Sequence, residues 1–173
     1  NATGVANIME VARALAHLPE KPKRSVAFIF IGAEECGLIG SNVFVENPTI
    51  PIDKTVCFIN LDMVGNGTGL SLWGGESYPE ILESFTKANN DFVHRSFRSS
   101  PARMPRSRPR SDAAVFLKAG YKAVSVGTTD RVLPINYHHP DDRPEITITP
   151  EIMEDASQML LFGVWNLANS HLD

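Results

Sequence analysis

The sequence predicts an α/β fold with a mostly parallel, mixed central sheet flanked by helices. Two observations carry this reading. Short apolar runs rich in Val, Ile and Phe, SVAFIFI at residues 25–31 and TVCFINL at 55–61, have the composition of strands covered on both faces. They alternate with segments of helical periodicity, and such alternation builds layered α/β domains. At 173 residues, 43% hydrophobic and 21% charged, the chain is read as one globular domain over 1–173, with no repeat or linker.

In chain order, a first helix is predicted from Thr3 to Leu18, with Val5, Ile8, Met9, Ala12, Leu15 and Ala16 as its buried face. Pro19 and Pro22 end it. SVAFIFIG and TVCFINLDMVG are expected as central strands, with a short helix between them stopped by Asn47 and Pro48. GLSLWGG reads as a further strand, and YPEILESFTKAN as a helix burying Ile81, Leu82, Phe85 and Ala88. Residues 94–110, with six arginines and three prolines, read as a loop. Ser111 is placed to cap the helix DAAVFLKAG, Gly120 to close it, and YKAVSVGT to form a strand. A Pro-punctuated loop, VLPINYHHPDDRPE, precedes a last helix from Pro150 to Ser170.

Bulk properties exclude several functions. A net charge of -4 gives no global electrostatic case for nucleic acid or an anionic membrane. No apolar run approaches the roughly 18 residues that span a bilayer, and the first residues lack a signal-peptide layout. Cys36 and Cys57 are too few for a disulfide framework; Cys57 reads as a core residue and Cys36 as packed near a site without acting in it.

The chemistry gathers where loops leave strand ends. Glu34 and Glu35 follow SVAFIFI, Asp62 closes TVCFINL, and His138 lies in the loop beyond YKAVSVGT. Adjacent carboxylates repel, so the pair is either solvated or held by a cation. Glu, Asp and His are ligands that a catalytic zinc accepts, although capping and solvation explain each residue taken alone.

NATGV, GAEECGLIGS, NLDMVG, RSDAAVFLKAGYKAVSV and YHHPDD, in this order, resemble the zinc aminopeptidases with two co-catalytic metals, whose relatives include glutamate carboxypeptidase, the transferrin receptor ectodomain and glutaminyl cyclase. The resemblance implies a metal-dependent exopeptidase, with an aminopeptidase foremost. It would cleave the N-terminal bond of a peptide substrate with a zinc-activated water and a glutamate base. Glu34 would be the general base, Glu35 a ligand of one zinc together with His138, and Asp62 a ligand of the other. Tyr137 would polarise the substrate carbonyl, Arg110 would contact the substrate, and Asp142 could orient His138. The family's upstream His-x-Asp motif and bridging aspartate do not occur in this sequence. The chain therefore reads as the C-terminal part of a catalytic domain, inactive and weak in zinc binding by itself. Family members often act outside the cytoplasm, which implies an extracellular or periplasmic setting. A glutaminyl cyclase-like acyltransferase and a non-catalytic binding relative are the alternatives.

Overall fold

The computed structural model describes residues 1–104, 109–130 and 137–170. Its mixed sheet has the order β1-β4-β2-β3, from β1 (Phe58–Leu61), β2 (Gly69–Gly74), β3 (Phe97–Pro101) and β4 (Ala123–Thr129). β1 runs parallel to β4, β4 antiparallel to β2, and β2 parallel to β3. β4 is covered on both faces: Val124 and Val126 enter the main core, whereas Ala123 joins a second cluster on the opposite side. This is the α/β class expected from the sequence.

Helices α1 (Ala2–His17), α3 (Pro79–Ala88) and α6 (Pro150–Asn169) make the main layer. They close over Val11, Leu72, Phe85, Ile152 and Met159, all essentially removed from solvent. Gly163 of α6 lies against the Phe85 ring, where an added Cβ would come within 2.8 Å of ring carbons. Arg95, just before β3, pairs with Asp155 of α6 and ties the sheet's far edge to this layer. On the other face, α2 (Ile39–Glu46) and α4 (Asp112–Lys118) enclose an aromatic cluster. Phe58 stacks on Phe116 at 3.6 Å between centroids, and Tyr121 meets Phe116 edge-on at 5.1 Å. A short helix α5 (Pro144–Thr147) precedes α6.

Four expectations need correction. Residues 25–31 form no strand paired to the sheet, and β1 has a single neighbour among the described residues. The apolar run has the composition of a buried strand, but composition cannot supply a pairing partner. Second, the stretch read as a loop at 94–110 contains β3. Phe97 and Ser99 face inward beside β2 while Arg98 faces out, and an edge position tolerates Pro101 because its missing N–H points away from the ladder. Third, α1 buries Gly4, Asn7, Val11 and Leu15, whereas Val5 and Met9 are exposed. Its rotation is fixed at the N-terminus: a Cβ on Gly4 would lie 2.6 Å from the Leu61 carbonyl, so this glycine lets α1 rest on β1. Fourth, Cys36 is exposed rather than packed.

The other elements match their expected positions. Ser111 caps α4 by accepting from the Ala114 N–H at 3.4 Å, and Gly120 closes it at φ +94°. Cys57 packs against the main core, and burial pushes its thiol up to about 12.

Candidate active site

Glycines explain how GAEECGLIG turns. The Glu34 carbonyl accepts from both Gly37 N–H at 3.1 Å and Leu38 N–H at 2.8 Å, with Gly37 at φ +97° supplying the left-handed step. Gly40 N–H then donates to the Gly32 carbonyl at 3.2 Å; a Cβ on Gly40 would sit 2.4 Å from that oxygen. This tight reversal leaves Glu34 half-buried and Glu35 exposed. Consecutive carboxylates thus face different surroundings.

Asp62 follows β1 directly, and Asn1 fixes its position from both sides. The Asn1 Nδ2 donates to the Leu61 carbonyl at 2.6 Å, while its Oδ1 accepts from Met63 N–H and Gly4 N–H, each at 3.1 Å. One asparagine therefore caps α1 and braces the end of β1. His138 reaches across from the loop before α5, placing Nε2 2.7 Å from Glu35 Oε1. The Tyr137 ring stacks on the imidazole at 3.8 Å.

Backbone strain concentrates here. Ala33, Met63 and His138 adopt φ of 58°, 55° and 59°, so a non-glycine residue in the left-handed region adjoins or occupies each functional segment. Such conformations cost about 1–3 kcal/mol each and persist where surroundings over-determine them.

Electrostatics couple the segments. Glu34 titrates above the ordinary carboxylate range, first through burial and then through repulsion from Glu35, Asp112 and Asp62. Asp112, in the first turn of α4, accepts a hydrogen bond from the buried hydroxyl of Ser41 on α2. Glu34, Glu35, Asp62, Arg110, Tyr137 and His138 all line a single cleft of about 1290 Å³. Asp142 lines it as well, but no side-chain hydrogen bond joins it to His138; its backbone N–H donates to the His139 carbonyl at 2.9 Å. Asp112, Asn1 and Ser41 were not singled out in the sequence as parts of a site. Asp112 lies inside a quoted motif, RSDAAVFLKAG, and a helix-cap reading of Ser111 masked it.

The donors suit zinc in kind and fall short in number. Glu35 and His138 form a carboxylate–imidazole pair, and Asp62 lines the same cleft. Among the described residues, no three His, Cys, Asp or Glu side chains converge on a metal position. Catalytic zinc sites use about three protein ligands, more than the described residues bring to one point. No helix among the described residues is long and apolar enough to cross a membrane.

Comparison with known proteins places this arrangement. Aminopeptidase YwaD of Bacillus subtilis is 27% identical over 176 residues, covering 95% of this chain and 36% of the relative. Aminopeptidase NAALADL1 of Mus musculus is 36% identical over 91 residues, covering 49% of this chain and 12% of the relative. The chain thus spans about a third or less of these relatives' lengths. Among solved structures, BSAP, a zinc aminopeptidase from Bacillus subtilis, superposes with a TM-score of 0.81 at 24% identity, over 100% of this chain and 43% of that one. The γ-secretase component nicastrin gives 0.75 at 17% identity, over 100% and 37%. Glutaminyl cyclase from Porphyromonas gingivalis gives 0.64 at 14% identity, over 94% and 60%; at these identities the structural likeness speaks to the fold alone. The profile of peptidase family M28 matches residues 1–162, and the chain belongs to that family.

Proposed function

We propose that this chain is the base-bearing part of a metal-dependent exopeptidase, an aminopeptidase acting on the N-terminal bond of peptides. The observation that carries the reading is the convergence of Glu34 with Glu35, Asp62 and Asp112, four carboxylates whose mutual repulsion already registers in Glu34. Such a cluster becomes tolerable beside cations. Glu35 and His138 are suited to hold one zinc ion and Asp62 a second, with the remaining ligands supplied from polypeptide beyond these residues.

The division of labour follows from proton chemistry. A carboxylate committed to a metal cannot readily accept a proton, so the base must be a separate group. Glu34 fills that role. It removes a proton as water adds to the scissile carbonyl carbon, and returns it to the departing amine as the C–N bond breaks. The phenol of Tyr137 donates to the carbonyl oxygen, and Arg110 contacts the substrate from the rim of the cleft. Zinc, when bound, supplies Lewis-acid polarisation and stabilises developing negative charge. An extracellular or periplasmic setting agrees with the family resemblance.

The test is an assay of the intact protein on amino acid p-nitroanilides and on peptides with N-terminal glutamine, with and without chelator. Hydrolysis of the p-nitroanilides that is lost to chelator and restored by zinc is the expected result. Cyclisation of the glutaminyl peptides alone would assign acyltransferase chemistry instead, and turnover of neither would point to a binding role.

A further inference from the structure

Helix α2 is short, begins without a side-chain cap, and buries a single residue, which is polar. That residue is Ser41, at 0% exposure. A serine inside a helix ordinarily turns its hydroxyl to solvent or back to the carbonyl four residues earlier. Here the hydroxyl instead donates to the Asp112 carboxylate on α4, 71 residues away in sequence. A buried hydroxyl bonded to a charged acceptor is directional and costly to break, whereas apolar contacts allow two helices to slide.

The position of this bond along the chain matters more than its strength. Immediately before Ser41, four consecutive N–H groups hold the turn that carries Glu34. Gly37 and Leu38 donate to the Glu34 carbonyl, Ile39 to that of Ala33 at 3.2 Å, and Gly40 to that of Gly32 at 3.2 Å. Leu38 enters the helix at φ +61°, a left-handed conformation that needs support from its surroundings. The base is therefore attached to the first turn of α2 through backbone hydrogen bonds. On the other side of the bond, Asp112 lies in the first turn of α4, directly after the cap residue Ser111 and Arg110. Arg110 and Asp112 both line the cleft with Glu34. Below them Phe44 of α2 meets Phe116 of α4 at 5.4 Å between centroids, a tilted contact that brings the helices together without setting their register.

We propose that Ser41 is a positioning residue for the hydrolysis and acts through Asp112: their hydrogen bond locks the turn bearing Glu34 to the first turn of α4. The lock fixes where the base stands against the cleft wall that begins at Arg110. It also keeps the Asp112 carboxylate at the place from which it acts on Glu34. Ser41 touches no substrate; its effect on the reaction is geometric, and small displacements of a reacting group are costly. The catalytic half of this inference rests on reading Glu34 as the base, while the lock itself does not.

Two measurements on the intact protein test it. In Ser41→Ala, kcat on an amino acid p-nitroanilide should fall by about tenfold with KM within about twofold. The same substitution made in Asp112→Ala should change kcat by less than about twofold, because its partner is already gone. Phe85→Leu, in the main core, is the control for lost stability and should keep its kcat per folded molecule. An unchanged kcat in Ser41→Ala, or an equal fall in both backgrounds, would overturn the proposal. Hydrogen exchange reads the lock without reference to activity. In Ser41→Ala the amides of Gly37, Leu38 and Gly40 should exchange about tenfold faster relative to those of α6. Unchanged relative protection would overturn the lock. Faster exchange in a protein whose wild type hydrolyses no p-nitroanilide would sustain the lock and sink the exopeptidase reading.

Discussion

The two ends of the sheet are built by opposite rules. At the β2–β3 side, side chains close-pack around Phe85 and Gly163, and a charge such as Arg95 meets its opposite in Asp155. At the β1 side, apolar residues such as Phe30 are exposed, carboxylates face one another, and Ala33, Met63 and His138 sit in left-handed backbone. One side minimises its free energy by itself. The other carries local costs of the kind that collect at functional sites.

The comparison breaks most sharply on Glu34. Replacing it by Gln in the intact enzyme should lower kcat by about 10²–10⁴-fold, the usual weight of a general base, with thermal stability preserved. Loss of stability with activity retained would move Glu34 to the structural side. Phe85→Ala should show the reverse pattern: about 3–5 kcal/mol less stable in denaturant titration, with near-normal turnover per folded molecule. Ser41→Ala sits between these extremes. It removes the hydroxyl that donates to Asp112, and should cost about 1–3 kcal/mol while lowering kcat modestly, because Asp112 helps set the field at Glu34.

The smallest effects are in pH dependence, and they carry opposite signs on the two sides. Glu80 is held below the ordinary carboxylate range, first by its hydrogen bond with Lys122. Its contribution to stability is present at neutral pH and fades as pH falls through that lowered value. Being largely surface-exposed, the pair should contribute under about 1 kcal/mol, measurable as the difference between wild type and Lys122→Met. Glu34 is shifted upward, so in metal-free protein its contribution is fully present at acid pH and is lost as pH rises through the elevated value. Metal-free Glu34→Gln should therefore gain stability over wild type at neutral pH, and the gain should vanish in acid.

How much of this was legible follows from what each signal encodes. The helices at DAAVFLKAG and after Pro150, and the strands GLSLWG and AVSVGTT, declare themselves through period and caps. Strand β3 stayed hidden because an edge strand needs few apolar residues and its flanking arginines look like a loop. The pairing of residues 25–31 was over-read, since an apolar run states only that it is buried. Glu34, Glu35, Asp62 and His138 were visible through ordered motifs, and the structure lines one cleft with them. Asp112 and Asn1 were missed for a different reason: their importance lies in neighbours distant in sequence, Ser41 and Glu34 for the first, Leu61 and Met63 for the second.

Anomalous scattering at the zinc absorption edge from crystals of the intact protein addresses the central claim most directly. The account predicts two peaks in the cleft, one touching both Glu35 and His138 and the other touching Asp62, with Glu34 bonded to neither. Peaks elsewhere, or a fully occupied native crystal with Glu35 and His138 still paired directly and no peak beside them, would contradict it.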